Sequence, residues 1–96
     1  MKPSKDIPLG AAKVTPGEIL KEEFLEPLGL SQREVARRMK IGPMRLSEII
    51  RGRRSITADT ALRLAGVFEG TTPRFWMNLQ TNHDLAKAAL KMRSAA

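Results

Sequence analysis

Basic side chains, the groups that neutralise phosphates, are concentrated in one quarter of this chain. Residues 31–54 hold eight basic and two acidic side chains, a net charge of +6, whereas the other 72 residues hold nine basic and eight acidic side chains, a net charge of +1. Such segregation indicates a nucleic-acid partner more strongly than the basic total alone does. The eight basic residues of the segment are Arg33, Arg37, Arg38, Lys40, Arg45, Arg51, Arg53 and Arg54.

Patterns typical of catalytic and metal sites do not occur in the sequence. The chain has no cysteine, which excludes a disulfide, a thiolate metal site and a cysteine nucleophile. Its one histidine, His83, falls among apolar residues at helical spacing, and we interpret it as a packing residue. There is no Gly-rich phosphate loop and no metal-ligand spacing. We therefore expect no enzymatic activity, no metal and no cofactor.

Length and hydropathy fit one small domain. A chain of 96 residues is near the lower end of the sizes that fold without disulfides or metals. No apolar run approaches the roughly 18 residues of a membrane span, and residues 1–12 lack an apolar stretch of signal-peptide length. We expect a cytoplasmic protein with no membrane partner.

Local start and stop signals divide the chain into helices, and no segment has the period of two that is typical of a strand. Residues 1–14 show little periodicity, so we expect a flexible N-terminal arm there. Thr15 can cap a first helix that has Pro16 at its first position. Pro27 and Gly29 are expected to end that helix.

Two short helices joined by a tight turn are predicted within residues 31–52. The first helix begins at the capping residue Ser31, residues 40–42 form the turn, and Pro43 opens the second helix. Ala36 is small at a place where the second helix must pass closely. These constraints are typical of a helix-turn-helix, in which the two helices cross steeply.

A fourth helix is predicted after the helix-turn-helix. Thr57 is expected to cap it, and Gly70 to stop it. The residues expected to be buried on its inner face are Ala61, Leu62, Ala65 and Phe68.

The fifth helix is predicted over residues 73–92, which gives an all-α domain over residues 15–92 and a tail at 93–96. Its apolar stripe, at helical spacing, is made of Trp76, Leu79, His83, Ala86 and Leu90. The stripe is expected mainly to pack in the core. We also consider Trp76, His83 and Leu90 as residues of a dimer interface.

The second helix of the pair has an outward face that suits the major groove of DNA. At about nine residues it is roughly 13 Å long, which fits the groove. Arg45 is the strongest candidate for reading a base, because a guanidinium can pair with two acceptors on a guanine edge. Ser47 and Glu48 are weaker candidates. The outward face comprises Met44, Arg45, Ser47, Glu48 and Arg51.

Groups beside this face suit the phosphate backbone. Gln32 lies at a helix N-terminus, where backbone N–H groups and a side-chain amide can meet a phosphate. Arg51, Arg53 and Arg54 follow the reading helix and are expected to contact the backbone, with a solvated basic turn as the alternative. Glu48 either accepts a hydrogen bond from cytosine or forms a salt bridge with a neighbouring arginine.

Six stretches of the sequence carry a family resemblance. They are Pro16-Gly17-Glu18-Ile19-Leu20, Glu22-Glu23-Phe24-Leu25, Leu30-Ser31-Gln32-Arg33-Glu34-Val35-Ala36, Ser47-Glu48-Ile49-Ile50-Arg51-Gly52, Ile56-Thr57-Ala58-Asp59-Thr60-Ala61-Leu62-Arg63-Leu64-Ala65 and Pro73-Arg74-Phe75-Trp76-Met77-Asn78-Leu79-Gln80. Through them, about three quarters of the chain resembles the HigA/VapI-type antitoxins, a branch of the lambda-repressor-like (XRE) helix-turn-helix superfamily. The last two stretches are the most specific to that branch.

The resemblance implies a lambda-repressor-like fold and a homodimer that binds operator DNA and represses its own operon. It also implies a toxin-antitoxin pair, in which the protein binds and silences a small RelE-like ribonuclease toxin. The positions that would contact DNA are Gln32, Pro43, Met44, Arg45, Ser47 and Glu48, with Arg51 and Arg53 on the phosphate backbone.

The sequence departs from the family pattern in two places. Lys40 stands at a turn position where glycine is common, and a positive φ at a non-glycine residue costs about 1 kcal/mol. Pro43 and Met44 stand where polar base-reading residues are common. Their side chains can touch a thymine methyl group but cannot form a hydrogen bond to a base.

Two other functions compete with an antitoxin. One is a stand-alone repressor of the same superfamily without a toxin partner. The other is a protein-interaction domain that has lost DNA binding, which the intact basic segment argues against. The acidic group of Glu22, Glu23 and Glu26 is interpreted as a solvated face, with contact to a basic toxin as the alternative.

Overall fold

Five helices account for most of the chain, as predicted. The computed structural model describes residues 9–95, and this range contains helices and turns but no strand. We number the helices α1 (residues 16–28), α2 (Gln32–Met39), α3 (Pro43–Ile50), α4 (Ala58–Val67) and α5 (Pro73–Ala95). A short 3-10 turn, Leu9–Ala12, precedes them. Helix α5 continues three residues beyond the predicted end at residue 92.

The helix starts follow the predicted capping residues. The side-chain oxygens of Thr15, Ser31 and Thr57 each accept a hydrogen bond from the backbone N–H three residues further on, at 3.1, 3.1 and 3.4 Å. Each bond satisfies an N–H group that has no partner inside the helix. Local sequence therefore determines where α1, α2 and α4 begin.

Helix α1 differs from the prediction at its C-terminal half. It starts as an α-helix, Pro16–Ile19, continues as a π-helical segment, Leu20–Leu25, and finishes as an α-helical turn, Glu26–Leu28. Pro27 was expected to help end the helix, but the helix passes through it and ends at Gly29, whose φ is 66°. Proline has no N–H to donate, and the wider register, in which Glu26 N–H donates to the carbonyl of Lys21, accommodates it.

One hydrophobic core joins all five helices. Leu62, which we expected on the inner face of α4, is instead 63% exposed. Ala65 is half-buried, whereas Ala61 and Phe68 are buried as predicted. The inner face of α4 is therefore narrower than the sequence suggested. The buried core consists of Leu20, Leu25, Val35, Ala36, Met39, Leu46, Ile49, Ile50, Ile56, Ala61, Leu64, Phe68 and Trp76.

Trp76 is the centre of an aromatic cluster between α1, α4 and α5. Its ring centroid lies 4.8 Å from that of Phe24 and 5.0 Å from that of Phe75. Its indole N–H donates to the Thr71 hydroxyl at 3.0 Å. Since Trp76 is 0% exposed, it has no surface to offer a second copy of the chain, which argues against our expectation that it contributes to a dimer interface.

The N-terminal 3-10 turn packs on α5. His83 Nδ1 lies 2.7 Å from the carbonyl oxygen of Ala11, and because a carbonyl can only accept, Nδ1 carries the proton. Residues 9–12 are thus folded onto the domain, a correction to the expectation of a flexible arm over 1–14. Residues 1–8 of that expected arm lie outside the described range. No helix in the described range is long and apolar enough to cross a membrane.

Candidate nucleic-acid interface

Helix α3 is fixed from behind by the start of α1. Gly17 is buried, and a Cβ atom added to it would come within 2.7 Å of the Cα atom of Ile50 and closer still to the carbonyl oxygen of Ile49. Both of these are backbone atoms, so no side-chain adjustment can make room. Only glycine therefore allows α1 to pass this close to the C-terminal end of α3.

The turn between α2 and α3 has the predicted left-handed residue. Lys40 has a φ of 60°, and it is the one non-glycine residue with positive φ in the described range. Ile41 is half-buried against the core, which anchors the turn from inside. Gly42 is then extended and precedes Pro43 at the start of α3.

The outward face of α3 meets solvent as predicted. Met44 is 77% exposed, and Pro43 is also exposed. Ser47 and Glu48 are half-buried. The carboxylate of Glu48 pairs with Arg54 at 3.2 Å, so of the two roles considered for Glu48 the structure contains the salt bridge, although with Arg54 rather than with an arginine of its own helix.

Arg45 is held within the chain and does not extend freely from α3. Its Nη2 atom donates to Asp59 Oδ2 at 2.8 Å and to the hydroxyl of Thr60 at 2.9 Å, and its side chain is 31% exposed. The strongest sequence candidate for base reading therefore has its guanidinium engaged with the first turn of α4.

Asp59 binds a second arginine. Its Oδ2 accepts from Arg63 Nε at 3.0 Å, while Arg63 Nη1 donates to the carbonyl oxygen of Met39 at 2.9 Å. The hydrogen bonds from Arg45 and then Arg63 lower the pKa of the Asp59 carboxyl below its usual value. Arg63 also places a cation at the C-terminal end of α2, where the helix dipole favours positive charge.

The N-terminal part of α2 is exposed to solvent. Gln32 is exposed, in a position from which it can meet a phosphate. Further along, Glu34 accepts hydrogen bonds from Arg37 and Arg38, which lower the pKa of its carboxyl to about 2. The same contact raises the pKa of Arg37. These two arginines are partly neutralised on their own helix.

The remaining basic groups of residues 31–54 have no carboxylate partner in residues 9–95. Of the eight cations, Arg37, Arg38, Arg45 and Arg54 form ion pairs. The side chains left without an ion pair in this part of the chain are Arg33, Lys40, Arg51 and Arg53, and all four are exposed. Arg51 and Arg53 flank the end of α3, as predicted.

The loop that carries Arg53 is fixed at both ends. Gly52, with φ of 77°, ends α3, and Arg53 N–H donates to the carbonyl of Glu48 at 2.8 Å. At the far end, Ile56 N–H donates to the side-chain oxygen of Gln80 at 2.8 Å, and Gln80 is buried. The basic loop is therefore attached to both α3 and α5.

Sequence reasoning missed the residues that support the interface. Asp59, Arg63 and Gln80 lie outside the basic segment, at positions 14 to 24 residues from their partners. Charged and amide residues on a helix are usually solvated, so their types gave no local signal. Only the packing of α4 and α5 against the helix-turn-helix brings them to their partners.

Comparisons with known proteins agree with this geometry. The Helix-turn-helix family model matches residues 21–76. Virulence-associated protein I of Dichelobacter nodosus is 49% identical over 75 residues, which are 78% of this chain and 68% of that protein.

Solved structures give the same result. The Pseudomonas aeruginosa antitoxin HigA, solved with the higBA promoter, has a TM-score of 0.79 and 39% identity, covering 85% of this chain and 88% of that one. An addiction module antidote protein of the HigA family from Coxiella burnetii has a TM-score of 0.74 and 49% identity, covering 85% and 87%. The chain therefore belongs to the helix-turn-helix proteins of the HigA/VapI type, a family of DNA-binding antitoxins and regulators that are not enzymes.

Proposed function

We propose that the protein is a sequence-specific antitoxin that binds operator DNA, represses its own operon and neutralises a small RelE-like ribonuclease toxin. The observation that carries the DNA-binding part is the exposed surface formed by α3 and the cations around it. A short helix with a solvent-facing side, flanked by arginines that have no carboxylate partner in residues 9–95, is what a major-groove reader requires.

The groove face would consist of the start and middle of α3. Pro43 and Met44 can make apolar contact with a thymine methyl group, while Ser47 can donate to or accept from a base. Glu48 would read cytosine only after leaving Arg54. Arg45 belongs to this interface through its place in α3, and its role is taken up below.

The phosphate contacts would lie on either side of that face. Gln32 at the start of α2 suits one strand, and Arg51 and Arg53 at the end of α3 suit the backbone beside the helix. Arg54 can add a contact when Glu48 releases it. Because each phosphate contact contributes about −0.9 to the slope of log K against log salt, binding should weaken steeply as salt rises.

Operator recognition would require two copies of the chain. Helix α3 has eight residues and is about 12 Å long, which covers only a few base pairs. Two copies on a pseudo-palindrome would place their reading helices one turn of DNA apart, about 34 Å. Of the residues we considered for the dimer contact, His83 is buried against Ala11, and Leu90 keeps some exposed surface.

The toxin-binding part of the proposal is supported by the family alone. Relatives of the chain are named antitoxins, and the Pseudomonas aeruginosa HigA was solved with a promoter. An antitoxin needs a partner encoded beside it, whereas a stand-alone repressor does not.

The test combines both parts in one preparation. The chain would be co-expressed with a tagged product of the adjacent reading frame, and the purified material would be tested for a shift of the shared promoter. We expect a stable complex and a promoter shift that exceeds the shift of random DNA. A promoter shift without a complex would identify a stand-alone repressor, and a complex without a shift would contradict operator binding.

A further inference from the structure

One carboxylate connects three helices beside the groove face. Asp59 Oδ2, in the first turn of α4, accepts from Arg45 Nη2 at 2.8 Å and from Arg63 Nε at 3.0 Å. Arg45 belongs to the first turn of α3, and Arg63 Nη1 reaches the carbonyl oxygen of Met39, the last residue of α2, at 2.9 Å. We call Arg45, Asp59 and Arg63 the arginine clamp.

The clamp leaves Arg45 unable to pair with guanine in the usual way. A guanidinium forms a two-bond fork either with Nη1 and Nη2 or with Nε and Nη2, so each fork uses Nη2. The two hydrogens of Nη2 are matched by two acceptors inside the chain, Asp59 Oδ2 and the Thr60 hydroxyl. While the clamp is closed, Arg45 can offer a base at most single hydrogen bonds.

The clamp also holds the turn of the helix-turn-helix. Arg63 Nη1 lies 2.9 Å from the Met39 oxygen and 3.4 Å from the Lys40 oxygen, the two carbonyls that lead into the turn. Lys40 has the left-handed backbone that sets the direction of the chain into α3. The same group of side chains thus connects the end of α2, the turn and the start of α3.

We propose that the arginine clamp positions α3 for base recognition, and that Arg45 is a positioning residue rather than a base reader. The proposal rests on the proposed DNA binding. It assigns sequence preference to the pose of the exposed groove face, which Asp59 sets through Arg45 and Arg63 without touching the DNA itself.

The chain provides a matched control for the clamp. Glu34 is also a carboxylate that accepts from two arginines, but both are on its own helix, at positions i+3 and i+4. Glu34→Gln and Asp59→Asn each remove one negative charge and keep the shape of the side chain. They therefore change the general attraction to DNA equally and differ only in which helices the lost contact joined.

The experiment measures binding of the full chain to its promoter site, to random DNA, and to a panel of duplexes in which each base pair of the site is changed. We expect Arg45→Ala and Asp59→Asn each to lower the ratio of promoter to random binding about tenfold, with the loss spread over the half-site. Because both remove the same coupling, the double variant should also lose about tenfold rather than a hundredfold. Glu34→Gln should keep the wild-type ratio.

Two results would overturn the clamp. In the first, Arg45→Ala loses preference at a single base pair while Asp59→Asn behaves like Glu34→Gln, which would make Arg45 a direct reader. In the second, the losses of the two single variants multiply in the double variant. Asp59 is 55% exposed, so neither outcome would be confused with failure to fold.

A second measurement separates the clamp from the proposed function. In NMR spectra without DNA, Asp59→Asn should shift the Nε–H signal of Arg63 and the amide signals of residues 39–42, and Glu34→Gln should leave them in place. If the wild type showed no promoter preference, the proposed function would fail while this result still supported the contact network. Unchanged signals in Asp59→Asn would reject the clamp whatever the DNA results.

Discussion

The two sides of the helix-turn-helix pair obey different physical constraints. On the inner side, Leu46 and Ile49 are at most 1% exposed, and Gly17 brings the backbone of α1 against that of α3. On the outer side, Met44 is 77% exposed, and Arg51 has no carboxylate partner in residues 9–95. Inner residues fix where α3 lies, whereas outer residues determine what it can bind. Substitutions on the two sides should therefore change different measured quantities.

The largest effect is expected at the inner crossing. Gly17→Ala would place a Cβ against the backbone of Ile49 and Ile50, and α1 and α3 would have to separate. We expect a loss of about 3 kcal/mol or more in the free energy of unfolding, with a fall of more than about 10 °C in Tm. Thermal unfolding followed by circular dichroism measures it.

Gly66 provides the control for that substitution. It lies within α4, is exposed, and has no atom within 4 Å of an added Cβ. Because alanine favours the helix over glycine, Gly66→Ala should stabilise the chain by about 0.5–1 kcal/mol. Equal destabilisation by both substitutions would show that the α1–α3 crossing is not special.

The inner side was predictable where it depends on local sequence. Thr15, Ser31 and Thr57 are polar residues directly before apolar periodic segments, and their capping bonds involve only residues three positions away. The left-handed turn at Lys40 was likewise predictable, because the spacing of the two helices leaves one residue that must turn the chain. The five helices of the fold followed from such signals.

Other features depend on tertiary contacts and could not be predicted in this way. The π-helical register before Pro27 is one of two ways to accommodate a proline, and ending the helix was the simpler expectation. Leu62 has the residue type of a core position, yet α4 needs only a narrow stripe and leaves it outside. Arg45 was placed correctly on α3, but its partner Asp59 is 14 residues away and on another helix.

On the outer side, arginines without an ion pair should affect DNA binding and leave folding unchanged. Arg51→Ala and Arg53→Ala should each make the slope of log K against log salt shallower by about 0.9 if each contacts one phosphate. Their Tm values should stay close to that of the wild type, because exposed substitutions usually change stability by less than about 0.5 kcal/mol. Fluorescence anisotropy with a labelled promoter duplex at several salt concentrations measures the slopes.

Arg74 gives a matched loss of charge away from this surface. It is exposed in the first turn of α5, outside residues 31–54. Arg74→Ala should keep the wild-type salt slope. If all three substitutions changed the slope alike, DNA attraction would follow net charge, and the division between a groove-facing side and the rest of the surface would lose its support.

The smallest effect is expected from the ion pairs on the outer side of α2. Arg37 and Arg38 lower the pKa of Glu34 from its usual 4.5 to about 2, so the folded chain holds this proton less tightly than the unfolded chain does. The contribution of Glu34 to stability is therefore fully present above about pH 4.5 and is lost as the pH falls toward 2. Since the pair is exposed and screened by salt, the contribution should be small. Thermal unfolding of the wild type and of Glu34→Gln, from pH 6 down to pH 3, isolates it from the other carboxylates: the wild type should be slightly more stable at pH 6, and the difference should shrink as the pH falls. A difference that grew in acid would mean that Glu34 carries its charge at a cost to the fold, and that the outer side of the pair is not as independent of folding as its exposure suggests.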